Sequence, residues 1–409
     1  MRSLNIYSLL LILYLLVIFV PILDTVDKSG VQWLYLNVLN FISFSILIND
    51  LGEIRKLFRH KLFLVYSFFS VTALLTYFFA FNKNEVLIEF VRNINIYISY
   101  VAMTIFIAKQ KNIKLLFPGI LVITFLANIS LFKMVYELFT FSEIGLDIAN
   151  KLPGFTMNKN INTYVILTQI PIFLISIFYL KSNWYKFLVG ITLFILFTLL
   201  FVYGTRSGYI VLLIFTFFLS IQLIRNFNDY KYNYLIFLIP LILAFTYNAT
   251  SNLNYSSQKR IKSLNFEDSS VNNRLLYWES SINQFKKSPI VGIGAGNWKI
   301  LGLKDLKDDL RDYIAPFHVH NDFLQVLSER GIIGFLPFVL IFIMSYLHLI
   351  KNILKDKSDY IDFFLFLALT AYFFDSTFNF PLNRPVMQIQ FAFILALITN
   401  RITKTLKIE

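Results

Sequence analysis

The chain has 409 residues, of which 57% are hydrophobic and only 15% are charged. Because soluble domains carry about 25% charged residues, this composition excludes a soluble globular protein and predicts an all-α polytopic membrane protein. The absence of cysteine excludes disulfides, thiolate metal sites and a thiol nucleophile. We interpret the formal net charge of +13 as basic loop residues that orient membrane helices, and nucleic acid is not an expected partner.

Twelve apolar runs are long enough to cross about 30 Å of hydrocarbon as helices. The first run follows Arg2 without a small-residue cleavage site, so we expect a retained anchor rather than a signal peptide. The weakest runs are the second, with Asn37 and Asn40, and the fourth, with Glu89 and Arg92. The runs lie near residues 5–23, 31–49, 62–82, 85–108, 115–133, 161–180, 185–203, 207–224, 232–248, 331–350, 360–378 and 386–400.

A long polar segment, 249–330, separates the ninth run from the tenth. We expect a bundle of about nine helices over 1–248, a loop with short helices over 249–330, and about three helices with a tail over 331–409. Lys and Arg in short loops favour the cytoplasmic side of a membrane. If the N-terminus is cytoplasmic, 18 of these residues fall in cytoplasmic segments and 7 in short outer loops. Both termini are therefore predicted in the cytoplasm, and the long polar segment outside.

Two arginines lie where the predicted helices meet the outer face. Arg206 stands in the polar interruption 204–208 between the seventh and eighth runs, for which a plain connecting turn is the alternative. Arg92 lies about two turns inside the fourth run, and a charge within the membrane is a functional hypothesis by default. Glu89, three residues earlier, could instead pair with Arg92 and give it a structural role.

The long polar segment has the pattern of a folded region. Leu275, Trp278, Ile282 and Phe285 recur at helical spacing and predict an amphipathic helix over 273–287. The glycine-rich stretch 292–298 is superficially similar to a dinucleotide-binding loop. It lacks both a surrounding βαβ unit and a third glycine at the proper spacing, so we predict a tight turn. A second short helix is predicted over 321–330.

Two of the four histidines, His318 and His320, lie in this polar segment. Histidine titrates nearest neutral pH, which suits it to proton transfer. His320 stands at the start of the predicted helix, where the helix dipole lowers the pKa of an imidazole and keeps it neutral. The alternatives are a surface turn that carries two imidazoles, and a metal site formed by His318, His320 and Asp322. The metal site needs further ligands, and His60 and His348 are predicted near the cytoplasmic side.

The pattern of His320, Asn321, nine residues, Gly331, two residues and Gly334 resembles the signature of the O-antigen ligase family. In that signature His is followed by Asn, Ser or Gln, then by nine positions, Gly, two positions and Gly, Thr or Tyr, so every defined position matches. The turn around Arg206 is similar to an arginine-bearing loop of the family. A further set of residues resembles its large periplasmic loop: Arg274, Trp278, Pro289, Gly292, Gly294 and Gly296.

The resemblance implies a twelve-helix, GT-C-like protein of the bacterial inner membrane with a periplasmic active site. The implied reaction transfers a glycan from undecaprenyl pyrophosphate to a sugar hydroxyl of the lipid A core, without a metal or cofactor and with inversion. His320 is the expected base, and Arg206 and Arg274 are expected to stabilise the leaving pyrophosphate. Four residues are expected to bind substrate: His318, Asn321, Arg92 and Trp278.

Three alternatives to a ligase are kept. A polymerase would use the same chemistry on a growing lipid-linked repeat, which also presents a sugar hydroxyl. A protein-glycosylating relative ranks third, because the chain ends about eight residues beyond its last predicted helix and we expect no extra periplasmic domain. A transporter, which is not an enzyme, would be favoured by periodic polar residues within several helices. The other expected partners are the membrane lipids.

Overall fold

The computed structural model describes residues 5–21, 29–110, 113–141, 156, 158–250, 269–306, 316–355 and 360–403. Eleven helices in these ranges are long and apolar enough to cross a membrane, and a shorter apolar helical stretch, Ile6–Phe19, precedes them. The described elements are helical, which confirms the expected all-α polytopic fold. The first helical stretch is shorter than the predicted run 5–23, because Asn5 caps its start and Val20 is extended at its end.

The described α-helices are numbered here in chain order. They are α1 (Ile6–Leu15), α2 (Gly30–Leu47), α3 (Leu51–Leu57), α4 (Lys61–Leu75), α5 (Lys83–Ala108), α6 (Leu116–Phe141), α7 (Lys159–Leu174), α8 (Asn183–Tyr203), α9 (Arg206–Arg225), α10 (Phe227–Thr250), α11 (Ser269–Lys287), α12 (Trp298–Leu306), α13 (Asp322–Lys355), α14 (Tyr360–Phe378) and α15 (Pro385–Ile402).

The centre of the bundle is formed by α7 and α15, whose residues are buried almost all round. A helix that is apolar on every side suits such a position. α15 packs mainly on α5, and α14 packs on α7, while α13 contacts both α4 and α14. By contrast, α9 and α10 expose apolar side chains such as Leu213, Phe217 and Phe245, which suits contact with lipid.

The helix α13 contains both the predicted short helix 321–330 and the predicted tenth membrane run. It is broken at Gly331, whose backbone has φ 57° and ψ −162°. The part before the break packs with α11, and the part after it continues among the membrane helices. The predicted boundary between the long polar segment and the last helices therefore coincides with a change of chain direction.

The glycine-rich turn at 288–297 packs against this break. The N–H groups of Ile293 and Gly294 donate to the carbonyls of Ser328 and Glu329, each at 3.0 Å. These bonds satisfy carbonyl groups that a broken helix would leave without partners. A Cβ atom at Gly331 would lie 2.3 Å from the Ile290 carbonyl oxygen, so only glycine allows the two backbones to come this close.

Next to this turn, the described parts of the polar segment enclose a small second core. It is separate from the core of the membrane bundle, and its buried members are Tyr277, Ile293, Trp298, Leu306 and Val319. Of this segment, the structure describes 269–306 and 316–330, and α11 and α12 are helices within it. The ranges 251–268 and 307–315 lie outside the described residues. Because α11 also packs on α13, the small core holds the histidine segment against the bundle.

Candidate active site

The two histidines meet at one end of the bundle, on the ring of Phe380. The ring of His318 stacks on Phe380 with centroids 4.4 Å apart and planes 18° apart. The ring of His320 approaches Phe380 edge-on at 4.8 Å and 89°. Val319, between them, points the other way into the small core. One phenyl ring, from the connection between α14 and α15, therefore fixes both imidazoles.

His320 has an unusual backbone that the following cap holds in place. Its φ of 58° is the one positive value at a non-glycine residue in the described part of the chain. Asn321 then begins α13: its side-chain oxygen accepts the N–H of Leu324 at 3.0 Å, and its carbonyl accepts the N–H of Gln325 at 2.9 Å. A left-handed backbone at such a residue costs about 1–3 kcal/mol and is found most often at functional sites.

Both imidazoles are neutral at pH 7. Burial lowers the pKa of His318 well below its ordinary value, with Arg384 and His320 adding to the effect. Burial also lowers the pKa of His320 to about 4, assisted by the charges of Arg274 and Arg384. The expected neutral state is thus present, but its cause differs from the helix dipole proposed from the sequence: burial and two guanidinium groups produce it.

The imidazoles also retain unused hydrogen-bonding capacity. The Nδ1 atoms of His318 and His320 are buried and have no hydrogen-bond partner among the described residues. Buried polar atoms in folded proteins are nearly always paired, so an unpaired one requires an explanation. Two such atoms on adjacent rings provide hydrogen-bonding capacity for a ligand with polar groups.

Arg274 and Tyr277 bring α11 to this site. The two residues are three positions apart and therefore lie on one face of the helix. The ring of Tyr277 stacks on His320 with centroids 6.3 Å apart, and the guanidinium of Arg274 acts electrostatically on the same imidazole. Arg274 also acts on the Tyr164 hydroxyl of α7, which links the site to the centre of the bundle. Arg274, which was predicted to stabilise the pyrophosphate, therefore lies near His320.

Arg206 lies at the turn between α8 and α9. Gly204, with φ 59°, ends α8, and Arg206 is the first residue of α9. The interruption is thus a tight connecting turn that leaves Arg206 partly buried. The next residue, Ser207, interacts with Tyr164, on which Arg274 also acts. Arg206 is thus the sequence neighbour of a residue that, like Arg274, acts on Tyr164.

The remaining predicted site residues of this region are Arg92 and Trp278. Arg92 forms an ion pair with Glu89 at 2.9 Å, which was the structural alternative for it, and acts on His318 only as a weaker charge. Trp278 packs against the small second core. Its neighbour Tyr277 is the aromatic residue that faces His320. The predicted role of Trp278 in substrate binding stays a prediction.

The third member of the suggested metal set points toward a different element. Asp322 accepts the N–H of Leu382 at 3.1 Å, which ties the start of α13 to the connection between α14 and α15. Among the described ranges, no group of three His, Cys, Asp or Glu side chains converges as metal ligands would. The geometry gives the metal alternative no support there.

Phe380 and Arg384 were missed by sequence reasoning. Both lie in the short connection between α14 and α15, about 60 positions after the histidines, and no motif marks them. The guanidinium of Arg384 lies over the Phe380 ring, 4.6 Å from its centroid. The one available signal was an arginine in a short polar connection, immediately before a helix-starting Pro385.

Comparison with known proteins supports the resemblance. Residues 191–339 match the family model described as O-antigen ligase. The predicted resemblance is confirmed. The matched segment contains Arg206, Arg274, His320, Gly331 and Gly334, and it ends before Phe380 and Arg384.

Two curated proteins are similar to parts of the chain. The exopolysaccharide production protein ExoQ of Rhizobium meliloti is 26% identical over 97 residues, 23% of this chain and 22% of that protein. A candidate polysaccharide ligase of Rickettsia conorii is 33% identical over 95 residues, 22% of each chain. The alignments thus span about a fifth of these relatives. Together with the helices, they indicate a multi-pass membrane protein with a segment similar to the O-antigen ligase family.

Proposed function

We propose that the protein is a glycosyltransferase that moves a glycan from undecaprenyl pyrophosphate to a sugar hydroxyl, with the lipid A core oligosaccharide as acceptor. One observation carries the proposal: the neutral imidazole of His320 lies beside two guanidinium groups, within or next to a segment that matches the O-antigen ligase model. A base and fixed cations are the groups that this transfer requires, because a hydroxyl must lose a proton while a pyrophosphate gains charge.

In the proposed mechanism, His320 accepts the proton of the acceptor hydroxyl as its oxygen attacks the anomeric carbon. The new glycosidic bond forms on the face opposite the leaving group, so the configuration at that carbon inverts. The bond to the carrier oxygen breaks, and its electron pair leaves with undecaprenyl pyrophosphate. The unpaired Nδ1 atom of His320 provides a site for hydrogen bonding during this transfer.

The arginines would link donor binding to the strength of the base. Arg274 and Arg384 lower the pKa of His320 in the absence of donor. A pyrophosphate bound beside them would offset their charge, and the pKa of the imidazole would then rise toward the range where it accepts a proton more readily. On this proposal, donor binding prepares His320 before the acceptor reacts.

The other predicted site residues receive supporting roles in the proposal. Arg206 and Arg274 bind the leaving pyrophosphate, since a planar guanidinium fork matches phosphate oxygens. His318 shapes the pocket through Phe380, and Asn321 holds the backbone of His320 through its cap. Arg92 and Trp278 are proposed as outer contacts of the glycan or carrier.

We also propose that this site lies on the periplasmic face of the bacterial inner membrane, with both termini cytoplasmic. The bias of basic residues among short loops supports this orientation. A reporter that is active only outside the inner membrane should work when fused after Ser270 and fail when fused after Lys357. The opposite pattern would contradict both the orientation and the side assigned to the reaction.

The decisive test uses purified full-length protein with a lipid-linked glycan and a sugar acceptor. Consumption of the donor and release of undecaprenyl pyrophosphate would support a transferase. Binding or movement of the donor without its consumption would favour a transporter. Added EDTA should leave the rate unchanged, because the arginines perform the role of a divalent cation in this mechanism. A rate lost to EDTA and restored by a divalent ion would contradict it.

A polymerase is the second candidate, and the name of the Rhizobium relative, an exopolysaccharide production protein, favours keeping it. Deletion of the gene followed by a gel of surface glycolipids separates the two. A ligase mutant should lose all long chains and accumulate carrier-linked polymer. A polymerase mutant should retain products that carry a single repeat.

A further inference from the structure

We propose that Arg384 is a further substrate-binding residue of this site, which grips the pyrophosphate of the donor together with Arg274. The inference rests on the proposed function and extends it to a residue outside the matched segment 191–339. Arg384 lies in the connection between α14 and α15, whereas Arg274 lies on α11. Together with Arg206 of α9, three arginines from separate elements would therefore hold the leaving group.

The backbone of Arg384 is held in a fixed position. Its N–H donates to the Pro381 carbonyl at 3.0 Å, and its carbonyl accepts the N–H of Gln388 at 2.9 Å in the first turn of α15. The same connection is tied to α13 through the bond from the Leu382 N–H to Asp322. An arginine on such a connection can present its guanidinium with little loss of conformational entropy on binding.

The side chain of Arg384 lies near the histidines, and part of its hydrogen-bonding capacity is unused. Its guanidinium lies over the Phe380 ring, which is also the ring that contacts His318 and His320. The Nε atom is buried and has no hydrogen-bond partner among the described residues. Leaving a guanidinium partly unpaired in a buried place is costly, and an incoming anion would remove that cost.

The charges around Arg384 favour an anion with more than one negative charge. Arg384 acts on both imidazoles, and Arg274 acts on His320. The carboxylate that acts on Arg384 is that of Asp375, whose Oδ1 atom already accepts from the Asn379 side chain at 2.9 Å. Arg384 and Arg274 thus both place positive charge at His320, and Asp375 acts on Arg384, so positive charge remains for a pyrophosphate.

The test compares Arg384→Gln and Arg384→Lys with the wild-type full-length protein. The donor kinetics and the inhibition constant of inorganic pyrophosphate are measured, and the pyrophosphate-induced shift in melting temperature is recorded in parallel. For Arg384→Gln we expect about a ten- to hundredfold loss of kcat/KM for the donor and a similar weakening of pyrophosphate inhibition. The KM for the acceptor should not change, and Arg384→Lys should recover part of the loss.

Lys287→Gln is the matched control, because it removes one cation on α11, the exposed Lys287 that pairs with Asp305 of α12. It should leave all of these quantities unchanged. Unaltered pyrophosphate inhibition and melting shift in Arg384→Lys and Arg384→Gln would overturn the assignment. So would a loss of kcat with unchanged pyrophosphate affinity, since that result means that Arg384 only positions the histidines.

The two proposals fail in different ways. If the wild-type protein does not transfer glycan, the proposed function fails, while the melting shift with pyrophosphate still tests Arg384. If the wild-type protein is active and the Arg384 variants behave like it, only the inference about Arg384 fails.

Discussion

The two ends of the helices α13, α14 and α15 differ in how far their buried polar groups are hydrogen-bonded. At the end away from the histidines, Asp362 is fully buried and accepts from Arg401 at 2.7 Å and from Asn352 at 2.6 Å. Asn352 in turn contacts the ring of His348 at 3.1 Å. At the other end, the imidazoles and a guanidinium keep buried atoms without partners in the described part of the chain.

This difference separates a structural network from a binding site. A satisfied buried network fixes the packing of the helices that contribute to it. An unsatisfied group costs about 1–3 kcal/mol, so a protein retains it where a ligand completes the bonding. On the proposed function, the Asp362 end contributes stability and the His320 end contributes the chemistry, and each part of this proposal can be tested by substitution.

The largest effect is expected at His320. His320→Ala should lower kcat by at least about 100-fold, because the variant lacks the general base. The melting temperature should stay close to that of the wild type, since the ring forms no hydrogen bond through Nδ1 that folding would lose. Transfer rates and melting curves of the purified variants give the measurement.

His318→Ala is the matched comparison, since its ring stacks on the same Phe380 but is not assigned the proton. It should retain activity within about tenfold of the wild type. Near-normal activity in both variants would show that neither imidazole is the base.

The second effect is expected at the break in α13. In Gly331→Ala the new Cβ would lie 2.3 Å from the Ile290 carbonyl oxygen, and the residue would have to keep φ 57°. We expect destabilisation of about 1–3 kcal/mol, and activity reduced by more than tenfold because the segment before the break carries the histidines. Gly190→Ala is the control, since nothing lies within 4 Å of its Cβ position. If the two variants have the same stability and activity, the break at Gly331 does not position the site.

The third effect concerns the geometry of the arginines. Arg274→Lys and Arg206→Lys should each retain only part of the activity, at about a tenth of the wild-type rate, because lysine keeps the charge and loses the two-pronged contact with phosphate. The loss should appear in the donor kinetics and leave the acceptor KM alone. Full activity with lysine at both positions would mean that charge alone suffices.

The fourth prediction concerns pH. The pKa of His320 is lowered from 6.5 to about 4, so kcat/KM should stay level from pH 8 to pH 6 and fall only as pH drops through about 4. The sign follows from the neutral ring being the active form. Between pH 6.5 and 4 the unfolded histidine binds a proton that the folded one does not, so this group lowers folding stability as the pH falls through that window. A decline of kcat/KM centred near pH 6.5 would contradict the burial of His320.

The smallest effect on activity is expected at the opposite end. Asp362→Asn should destabilise the fold by about 3 kcal/mol, because it leaves the Arg401 guanidinium without its charged partner. Activity per folded molecule should remain normal. Lys56→Gln, which breaks an exposed pair with Glu53, should cost at most about 1 kcal/mol. A fall in specific activity of the folded Asp362→Asn protein would show that the two ends are coupled.

The sequence predicted the elements of this fold better than their meeting points. The twelve runs, the helix at Ser269–Lys287 and the break near Gly331 follow from local patterns of hydrophobicity and glycine. His320 was found because its spacing to two glycines is local. Phe380 and Arg384 were not found, because only the antiparallel return of α14 along α13 brings them to the histidines.

The neighbouring residues Trp278 and Tyr277 show a second limit of local patterns. Adjacent aromatic residues on a helix point about 100° apart, and the sequence pattern placed Trp278 on the apolar face without showing which element each face would meet. In the structure, Trp278 packs against the small core, and Tyr277 stacks on the imidazole of His320. The apolar spacing also did not identify the buried side of this helix: Leu275 and Ile282 are exposed, whereas Ser280, Ser281 and Gln284 are buried with Tyr277.

The position of Phe380 between the two histidines has a consequence for hybrid proteins. On the proposed function, the polar segment 249–330 is the part that would be exchanged between relatives to change the glycan that is transferred. A graft of that segment would bring His318, His320 and Arg274 into a new host, but their ring partner and Arg384 would still come from the host. Such a chimera should work only when the connection 379–384 is exchanged with the segment. The residues that this proposed reaction needs therefore come from two separate parts of the chain, which have to be transferred together.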